Sequence, residues 1–379
     1  MKILCAFDSF KGCLSSAEAG EAARRGLLSS IPDTEVACYV CADGGEGMSE
    51  AVHAAGIGER VGAVVADPLM RPVEGFYTLD RETRRAYIDL AEASGLTRLS
   101  DAEKTPMKST TFGTGQLILD ALSRGAGEIF LGLGGSATND CGLGAIQAMG
   151  AKFFEKDSDS PIDTPITGGT MQRIDRIDLS GLPEGVTIRL LCDVADDWYD
   201  CLRYAPQKGA TADDLSTLLA SLRHLERVLD RDGVASCRGA STGAAGASGG
   251  GFRSLLGAEI CSGARAILDI NGFAAAAADR PDLILTGEGC SDAQTLMGKL
   301  PAEVLATAPE GVPVALLSGI VENRPDLERA GFAHVLCIND TPADPTANPL
   351  TPAVAASRLS ATASRLPKII SLFHSIRRK

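Results

Sequence analysis

The sequence predicts an α/β protein with a doubly wound parallel sheet of about five strands, interrupted by a large inserted domain of mixed α/β structure. Short apolar runs alternate with amphipathic helical segments at both ends of the chain, a rhythm typical of parallel sheets with helices on both faces. The chain has 379 residues, which exceeds the length that one hydrophobic core usually supports and favours two domains.

The N-terminal part predicts two strand–helix units. The first strand is KILCAF, followed by a helix from about Ser15, and the second is EVACYVC, followed by the helical MSEAVHAAG. Three further units near the C-terminus have strands in DLILTGEG, VPVALLSG and HVLCIND, and helices in AEVLATA, ENRPDLERAG and AVAASRLSATASRL. The five strands predict one discontinuous domain of residues 1–66 and 280–379.

The intervening residues 67–279 are expected to form the inserted domain. Its predicted strands are VEGFYTL, RAYIDLA, EIFLGLGG and TIRLLCDV, with a helix in GQLILDALSRG. A second, longer helix carries leucines at three- and four-residue spacing from Leu215 to Leu229. This spacing predicts one buried stripe that belongs to the core.

The composition excludes several classes of partner. The formal net charge is −13 and the aromatic content is 4%, so nucleic acid and anionic membranes are not expected, because both are bound through clustered Lys and Arg. No apolar run approaches the roughly 18 residues of a membrane helix. The apolar run before Asp8 is also too short for a signal peptide.

The cysteines indicate a reducing compartment. There are 11 of them, an odd number scattered along the chain, which predicts free thiols in the cytoplasm. Cys38 and Cys41 form a C-x-x-C motif, but they lie in a strand-like stretch and no second pair or nearby His completes a zinc site. We therefore expect neither a metal nor a redox role for this motif.

Acids follow most of the predicted strands, and ligands of open parallel sheets bind beyond the carboxyl ends of the strands. The residues concerned are Asp8 with Ser9, Asp43 with Glu46, Glu288 with Asp292, Asn339 with Asp340, Asp193, and Asn139 with Asp140. A single acid in such a place is usually a turn former or a helix cap. Several acids together with Lys11 and Lys208, each beside a glycine, are what magnesium-assisted phosphoryl transfer requires.

Two glycine-rich segments are candidate anion sites. The segment LGLGGSATNDCGLGA fits the dinucleotide fingerprint G-x-G-x-x-A only weakly, because Asp140 stands where a pyrophosphate would lie. Capping of the next helix by Asn139 or Asp140 is the alternative. The tract from Gly239 to Phe252 is either a phosphate-binding nest or a closely packed or disordered loop, and its helix-like continuation favours an ordered one. A P-loop is excluded, because MGKLP has Leu300 where the hydroxyl should be.

Seven blocks in order along the chain resemble the bacterial type I glycerate kinases: DSFKGCLSS, ADGGEG, FGTGQLI, GLGGSATNDCGLGA, CDV, PQKGA and TGEGCSDAQTLMGKLP. The resemblance implies ATP- and Mg²⁺-dependent phosphorylation of D-glycerate, on its 2-hydroxyl, to 2-phosphoglycerate. It also implies a flavodoxin-like domain split by an inserted α/β domain, with the active site in the cleft between them. Two departures from the family pattern are the shortened segment ADDWYDCLRYA after Asp193, and Cys290, where an Arg is frequent.

On this basis we expect Asp193 to be the general base, with Lys11 and Lys208 neutralising carboxylate and phosphate charge. Magnesium is expected at Asp8, Asp43 and Glu288. The residues expected to bind substrate or nucleotide are Asp8, Ser9, Asp43, Glu46, Gly134, Gly135, Ser136, Thr138, Asn139, Asp140, Glu288 and Asp292.

Several alternatives stay open. The kinase could give 3-phosphoglycerate or act on another small hydroxy acid. A nicotinamide-dependent hydroxy-acid oxidoreductase and a non-catalytic metabolite sensor are the rival classes, and a homo-oligomer is left open. The kinase needs a divalent metal and releases ADP, the oxidoreductase changes the absorbance of its cofactor, and the sensor binds glycerate without consuming ATP.

Overall fold

The structure is a computed structural model that describes residues 1–10, 12–42, 44–45, 47–340 and 351–366. The chain forms two compact units, the first made of Met1–Asp43 and Ala264–Lys379 and the second of Gly44–Gly263. Within the described ranges, no helix combines the length and the apolar character that crossing a membrane requires.

The first unit is the doubly wound domain. Its five strands are all parallel and have the spatial order second, first, third, fourth, fifth, which is the flavodoxin-like order. The strands are Lys2–Phe7, Glu35–Val40, Leu283–Gly287, Val314–Ser318 and His334–Cys337, and a separate strand pair is Cys290–Ser291 with Ile320–Val321. The helices are Ser16–Ser30, Gly263–Ile270, Phe273–Ala278, Leu300–Thr307, Arg324–Ala330 and Pro352–Ala363, with short 3-10 helices at Ala293–Leu296 and Ile338–Asp340. The predicted fold class is confirmed.

Local sequence explains where the first helix begins. The Ser15 hydroxyl accepts a hydrogen bond from the Glu18 amide at 3.2 Å, and the Glu18 carboxylate accepts one from the Ser15 amide at 2.8 Å. This reciprocal capping box satisfies amides that a helix start otherwise leaves without partners. The helix then buries small residues and Leu27 against the sheet.

The second unit is built on a mixed sheet of six strands. Counted from one edge, the strands are Glu259–Cys261, Thr187–Leu191, Glu128–Gly132, Arg85–Asp89, Pro72–Asp80 and Glu59–Ala66. The first four are mutually parallel and the last two pair antiparallel. A small antiparallel pair is Lys152–Phe154 with Arg176–Asp178.

The helices of the second unit surround this sheet. They are Met48–Ala54, Ala91–Ser94, Phe112–Ser123, Leu143–Ala148, Ala212–Arg231 and Ala244–Leu256, with 3-10 helices at Leu96–Arg98, Met171–Arg173, Trp198–Tyr204 and Pro206–Lys208. In the longest helix Leu218, Leu222, Leu225 and Leu229 are buried in the core, so the predicted leucine stripe is confirmed.

The unit boundaries differ from those expected at residues 66/67 and 279/280. Strand Glu59–Ala66 pairs along its whole length with Pro72–Asp80, so residues 44–66 belong to the second unit. Residues 264–279 belong to the first unit, where the Asn271 amide donates to the Val40 carbonyl at 2.9 Å and Phe273 contacts the Tyr39 ring. Strand Glu59–Ala66 is not among the strands predicted from the sequence, and residues 44–66 were therefore expected in the first domain.

Candidate active site

Two buried acids lie side by side at one edge of the first unit. Phe7 pairs with Gly287 in the parallel register, and Asp8 and Glu288 are the next residues on these strands. The Asp8 amide donates to the Gly287 carbonyl at 2.9 Å, and the two acids are only 7% and 5% exposed. The two strands flank the point where the strand order reverses, which is where ligands bind in flavodoxin-like sheets.

Glu288 is surrounded by hydroxyl groups. Its Oε1 accepts hydrogen bonds from Ser291 Oγ at 3.0 Å and from Thr295 Oγ1 at 2.6 Å. Ser291 Oγ also lies 2.6 Å from Ser318 Oγ. Burial raises the pKa of Glu288, and the bond from Thr295, the Lys299 charge and the bond from Ser291 only partly oppose this rise.

The other site residues predicted in the first unit differ in their hydrogen bonds. Asp292 caps the short helix Ala293–Leu296 by accepting from the Gln294 amide at 2.8 Å. The Ser9 amide donates to Asp8 Oδ1 at 2.7 Å. Lys11, Asp43 and Glu46 lie outside the described residues.

The donor chemistry at this edge suits magnesium, because Mg²⁺ prefers carboxylate oxygens and usually uses one or two of them. Asp8 and Glu288 are two of the three residues predicted to hold the metal, and Asp43 is the third. Among the residues that the structure describes, no group of three or more His, Cys, Asp or Glu side chains could hold a metal. A magnesium site here would therefore use this carboxylate pair together with oxygens from elsewhere.

In the second unit, Lys208 is fixed against the predicted substrate loop. Its Nζ donates to Ser136 Oγ and to the Thr138 carbonyl, both at 2.7 Å. The residue is 3% exposed, and burial lowers its pKa to about 8, while the nearby Cys201 and Asp140 oppose the shift. An ammonium has three hydrogens, and among the described residues only these two acceptors are hydrogen-bonded to Lys208. One hydrogen remains for a ligand.

Asp140 organises the loop from inside. Its carboxylate accepts from the amides of Thr111, Gly142 and Gly144 at 2.7, 3.2 and 3.3 Å, and from the Thr111 hydroxyl at 2.7 Å. Thr111 stands at the N-cap position of helix Phe112–Ser123, and Gly142 stands at the N-cap position of helix Leu143–Ala148. Burial raises the pKa of Asp140 in spite of these bonds. The carboxylate thus occupies the helix-start position that a dinucleotide phosphate would need, and it shows the capping that the sequence left open.

Thr138 and Asn139 are buried polar residues whose side-chain hydrogen-bonding groups are unsatisfied. They are 0% and 2% exposed, and within the described part of the chain neither the Thr138 hydroxyl nor the Asn139 amide has a hydrogen-bond partner. The nearby Cys201 thiol is a weak donor; its pKa is raised to about 12 by burial, which Lys208 and Asn139 oppose. Unpartnered buried amides are costly and point to a missing ligand or water. Gly134 and Gly135 lead into this loop, half-buried and exposed.

The tract from Gly239 to Phe252 is ordered and packs against the same loop. Ala245, Gly246 and Ala247 all have positive φ, from 52° to 68°, and such strain is typical of functional sites. A Cβ atom on Gly246 would lie 2.0 Å from the Thr138 carbonyl oxygen and 2.7 Å from the Asn139 Cα. Only glycine allows these two backbones to lie so close together.

Asp193 follows strand Thr187–Leu191, as predicted, and is half-buried. Its Oδ1 accepts from the Gly263 amide at 2.8 Å and from Ser262 Oγ at 3.4 Å. The shortened segment after it forms the 3-10 helix Trp198–Tyr204, which buries Trp198 and leads directly to Pro206–Lys208. The role of Asp193 as a base stays a prediction.

Asp89 is a site residue that the sequence analysis missed. It ends strand Arg85–Asp89, and its carboxylate accepts from the amides of Gly47, Met48 and Ser49 at 3.2, 3.1 and 3.1 Å. Burial raises its pKa to about 7 despite these bonds. A Cβ on Gly132 would lie 3.0 Å from both Asp89 Oδ1 and the Gly44 carbonyl. Asp89 therefore holds Gly47 and the start of helix Met48–Ala54, and the same acid-after-strand signal was present in RAYIDLA.

Comparisons with known proteins agree with this arrangement of motifs. The sequence model of the Glycerate kinase family matches residues 3–371 of this chain. The chain is 37% identical over 330 residues to the glycerate kinase of Bacillus subtilis, covering 85% of each protein. It is 36% identical over 318 residues to the glycerate 2-kinase of Escherichia coli K12, covering 81% of this chain and 82% of that protein.

A solved structure is similar over the full length of both chains. It was assigned as glycerate kinase 2 from Salmonella typhimurium LT2, and it matches with a TM-score of 0.84, 32% identity and 100% coverage of each chain. The sequence and structural matches extend over both units, and the resemblance expected from the seven sequence blocks is confirmed. The chain therefore belongs to the glycerate kinase family, whose members are phosphotransferases.

Proposed function

We propose that this protein catalyses the ATP-dependent phosphorylation of D-glycerate to 2-phosphoglycerate, with Mg²⁺ as the metal. The position of the phosphate follows the relative from Escherichia coli that is named glycerate 2-kinase. The observation that carries the proposal is the buried Lys208, held by two hydrogen bonds beside the unpartnered Thr138 and Asn139. A cation, a hydroxyl and an amide match the carboxylate and the two hydroxyls of glycerate.

Different residues of the second unit bind different groups of the substrate. Lys208 binds an anionic oxygen with its third hydrogen, and its rigid position means that little side-chain entropy is lost on binding. Thr138 and Asn139 bond the hydroxyl groups of the substrate. Asp140 and Asp89 act as positioning residues, since their carboxylates accept backbone amides of the flanking loops.

Asp193 is our proposed general base, which accepts the proton of the attacking hydroxyl. Bound Mg²⁺, held by Asp8 and Glu288 with Asp43 as the third predicted ligand, would neutralise phosphate oxygens. Lys11 would neutralise further negative charge. We also propose a cytoplasmic location, which the eleven free cysteines support.

The function is tested by coupled ADP release with D-glycerate, L-glycerate and other small hydroxy acids, each with and without Mg²⁺. We expect turnover with D-glycerate that requires Mg²⁺, and a ³¹P NMR spectrum of 2-phosphoglycerate. A 3-phosphoglycerate spectrum would overturn the proposed position. Reduction of a nicotinamide cofactor, or glycerate binding without ADP release, would instead favour the oxidoreductase or the sensor.

The role of Asp193 is tested by Asp193→Asn. Loss of a positioned base is expected to lower kcat by about 10³-fold, because general base catalysis contributes roughly 10²–10⁴. The exposed Asp213→Asn variant is the control, and circular dichroism checks that both variants fold. Near wild-type turnover of Asp193→Asn would remove this residue from the proposed chemistry.

A further inference from the structure

Two cysteines far apart in sequence face each other in the first unit. Cys5 on strand Lys2–Phe7 pairs directly with Cys38 on strand Glu35–Val40 in the parallel register. Paired strands are separated by about 4.8 Å, which lies within the roughly 4.4–6.8 Å between Cα atoms that a disulfide spans. Paired residues in a parallel ladder also point to the same face, so these thiols share one side of the sheet.

The two thiols differ in access. Cys5 is fully buried, whereas Cys38 lies on the edge strand and is exposed. Helix Ser16–Ser30 lies over this face, and a Cβ on its Gly20 would be 3.4 Å from Cys38 Cβ. The missing side chain at Gly20 leaves room beside the sulfur, which lies 3.4 Å from the Gly20 carbonyl oxygen.

The surroundings favour the thiolate at Cys38. Its pKa is lowered, first by a hydrogen bond from the Cys5 thiol and also by the Arg24 charge, against the opposing effects of burial and Glu21. Half-buried Cys13 shows the opposite, since burial and the negative charge of Glu18 raise its pKa. A thiolate that oxidants can reach is the usual form of a redox-sensitive cysteine.

The sequence neighbour Cys41 is not placed for this chemistry. It is buried, and its Sγ lies 3.4 Å from the Tyr39 carbonyl oxygen. Cys41 lies just beyond the strand, which ends at Val40, and its sulfur is 3.6 Å from the Asn271 amide nitrogen. The pair defined by strand register is therefore Cys5 with Cys38, and the C-x-x-C motif is not the pair.

We propose that Cys38 is a peroxide-reactive thiol and that Cys5 is its resolving partner. The Cys38 thiolate attacks one oxygen of hydrogen peroxide, the O–O bond breaks, and with one proton taken up the products are a sulfenic acid and water. The Cys5 thiol then attacks the Cys38 sulfur, the S–O bond breaks, and a disulfide and a second water form. Two thiols are oxidised by two electrons and one peroxide is reduced.

The test uses the full-length protein with a small excess of hydrogen peroxide, followed by alkylation and tryptic peptide mass spectrometry. Cleavage gives residues 3–11 with Cys5, and residues 26–60 with Cys38 and Cys41. We expect a cross-link between these two peptides that dithiothreitol removes. Cys41→Ala should keep the cross-link and Cys38→Ser should lose it. In the reduced protein, Cys38 should alkylate faster than Cys13 at neutral pH.

Three outcomes would overturn the proposal. The first is a bridge within residues 26–60 that joins Cys38 to Cys41. The second is accumulation of sulfinic acid at Cys38 in the wild-type protein without a cross-link. The third is alkylation of Cys13 at least as fast as that of Cys38. The wild type and Cys41→Ala suffice to decide the partner even if a Cys5→Ala variant does not fold.

Discussion

Asp140 in the second unit and Glu288 in the first are both buried acids with a raised pKa, yet their partners differ in kind. Three backbone amides and one hydroxyl donate to Asp140, whereas the donors to Glu288 among the described residues are hydroxyls. Amides in a folded loop cannot turn away, but hydroxyls rotate and can offer lone pairs to a cation. Burial and the direction of the pKa shift are thus the same for the two acids, and the kind of donor distinguishes them. Hydroxyl donors are compatible with the metal-binding role proposed for Glu288.

The largest expected effect comes from removing the buried cation beside the Asp140 loop. Lys208→Met keeps much of the side-chain volume but removes the charge and both hydrogen bonds to the loop. We expect kcat/KM for glycerate to fall by about 10³-fold, the upper part of the range for loss of a preorganised donor. Steady-state kinetics measures this, with the exposed Lys152→Met as the control. A loss below tenfold would contradict the proposed role.

Asp140→Asn should act mainly on stability. Three of the four donors bond Oδ2 and the Gly142 amide bonds Oδ1. An asparagine has one oxygen, so its NH₂ group must face at least the buried Gly142 amide, and two donors then oppose each other. We expect the free energy of unfolding to fall by about 3 kcal/mol, measured by urea denaturation. The control is Asp163→Asn, at an exposed position of the same unit. A variant as stable as wild type but without activity would show that Asp140 acts on the substrate directly.

Glu288→Gln should leave stability nearly unchanged, because an amide can still accept from Ser291 and Thr295. If Glu288 holds the metal, the Mg²⁺ concentration for half-maximal activity should rise by about tenfold or more. Activity titrations with MgCl₂ at saturating ATP measure this, and the exposed Glu322→Gln is the control. An unchanged magnesium requirement would place the metal elsewhere and remove the contrast with Asp140.

The smallest expected effect concerns pH. Burial lowers the pKa of Lys208 from its ordinary value of 10.5 to about 8. As the pH rises through this value, Lys208 in the folded protein loses its positive charge, whereas exposed lysines keep theirs. If the ammonium is the active form, kcat/KM should be half of its plateau near pH 8 and decrease further as the pH rises. The pH profile of Lys208→Arg should keep its plateau above this pH, because a guanidinium stays charged. A wild-type profile flat to pH 9 would contradict this assignment.

The five strands of the first unit's main sheet, and the acids that follow most of them, could be predicted from the sequence, because strand periodicity and Asp or Glu after a strand are local signals. Strands Glu59–Ala66 and Glu259–Cys261 of the second unit were not predicted. The start of helix Ser16–Ser30 could also be predicted, because Ser15 and Glu18 are three residues apart, which is the spacing of a capping box. The role of Asp140 was not, because its main partner Thr111 lies 29 residues earlier in the chain. The pairing of Cys5 with Cys38 likewise depends on which strands are neighbours.

The unit boundaries show a further limit of local patterns. An apolar strand such as Glu59–Ala66 has the same alternation whether it continues a parallel sheet or forms a hairpin with Pro72–Asp80. The short turn between the two strands brings Glu59–Ala66 beside Pro72–Asp80. The hydrophobic pattern of the strand itself does not indicate which strand it pairs with. The metal residue Asp43 and the charges of Lys11 and Glu46 stay predictions, since they lie outside the described residues.

The tight contact of Gly246 with Thr138 and Asn139 has a consequence for how the protein matures. These residues are more than a hundred positions apart, and the backbone at Gly246 fills the space directly against the loop. The loop that contains Thr138 and Asn139 therefore lacks part of its packing until the tract from Gly239 to Phe252 has been synthesised and has packed against it. Contacts of such long sequence separation form late in folding, so a nascent or truncated chain that ends before this tract would not bind substrate.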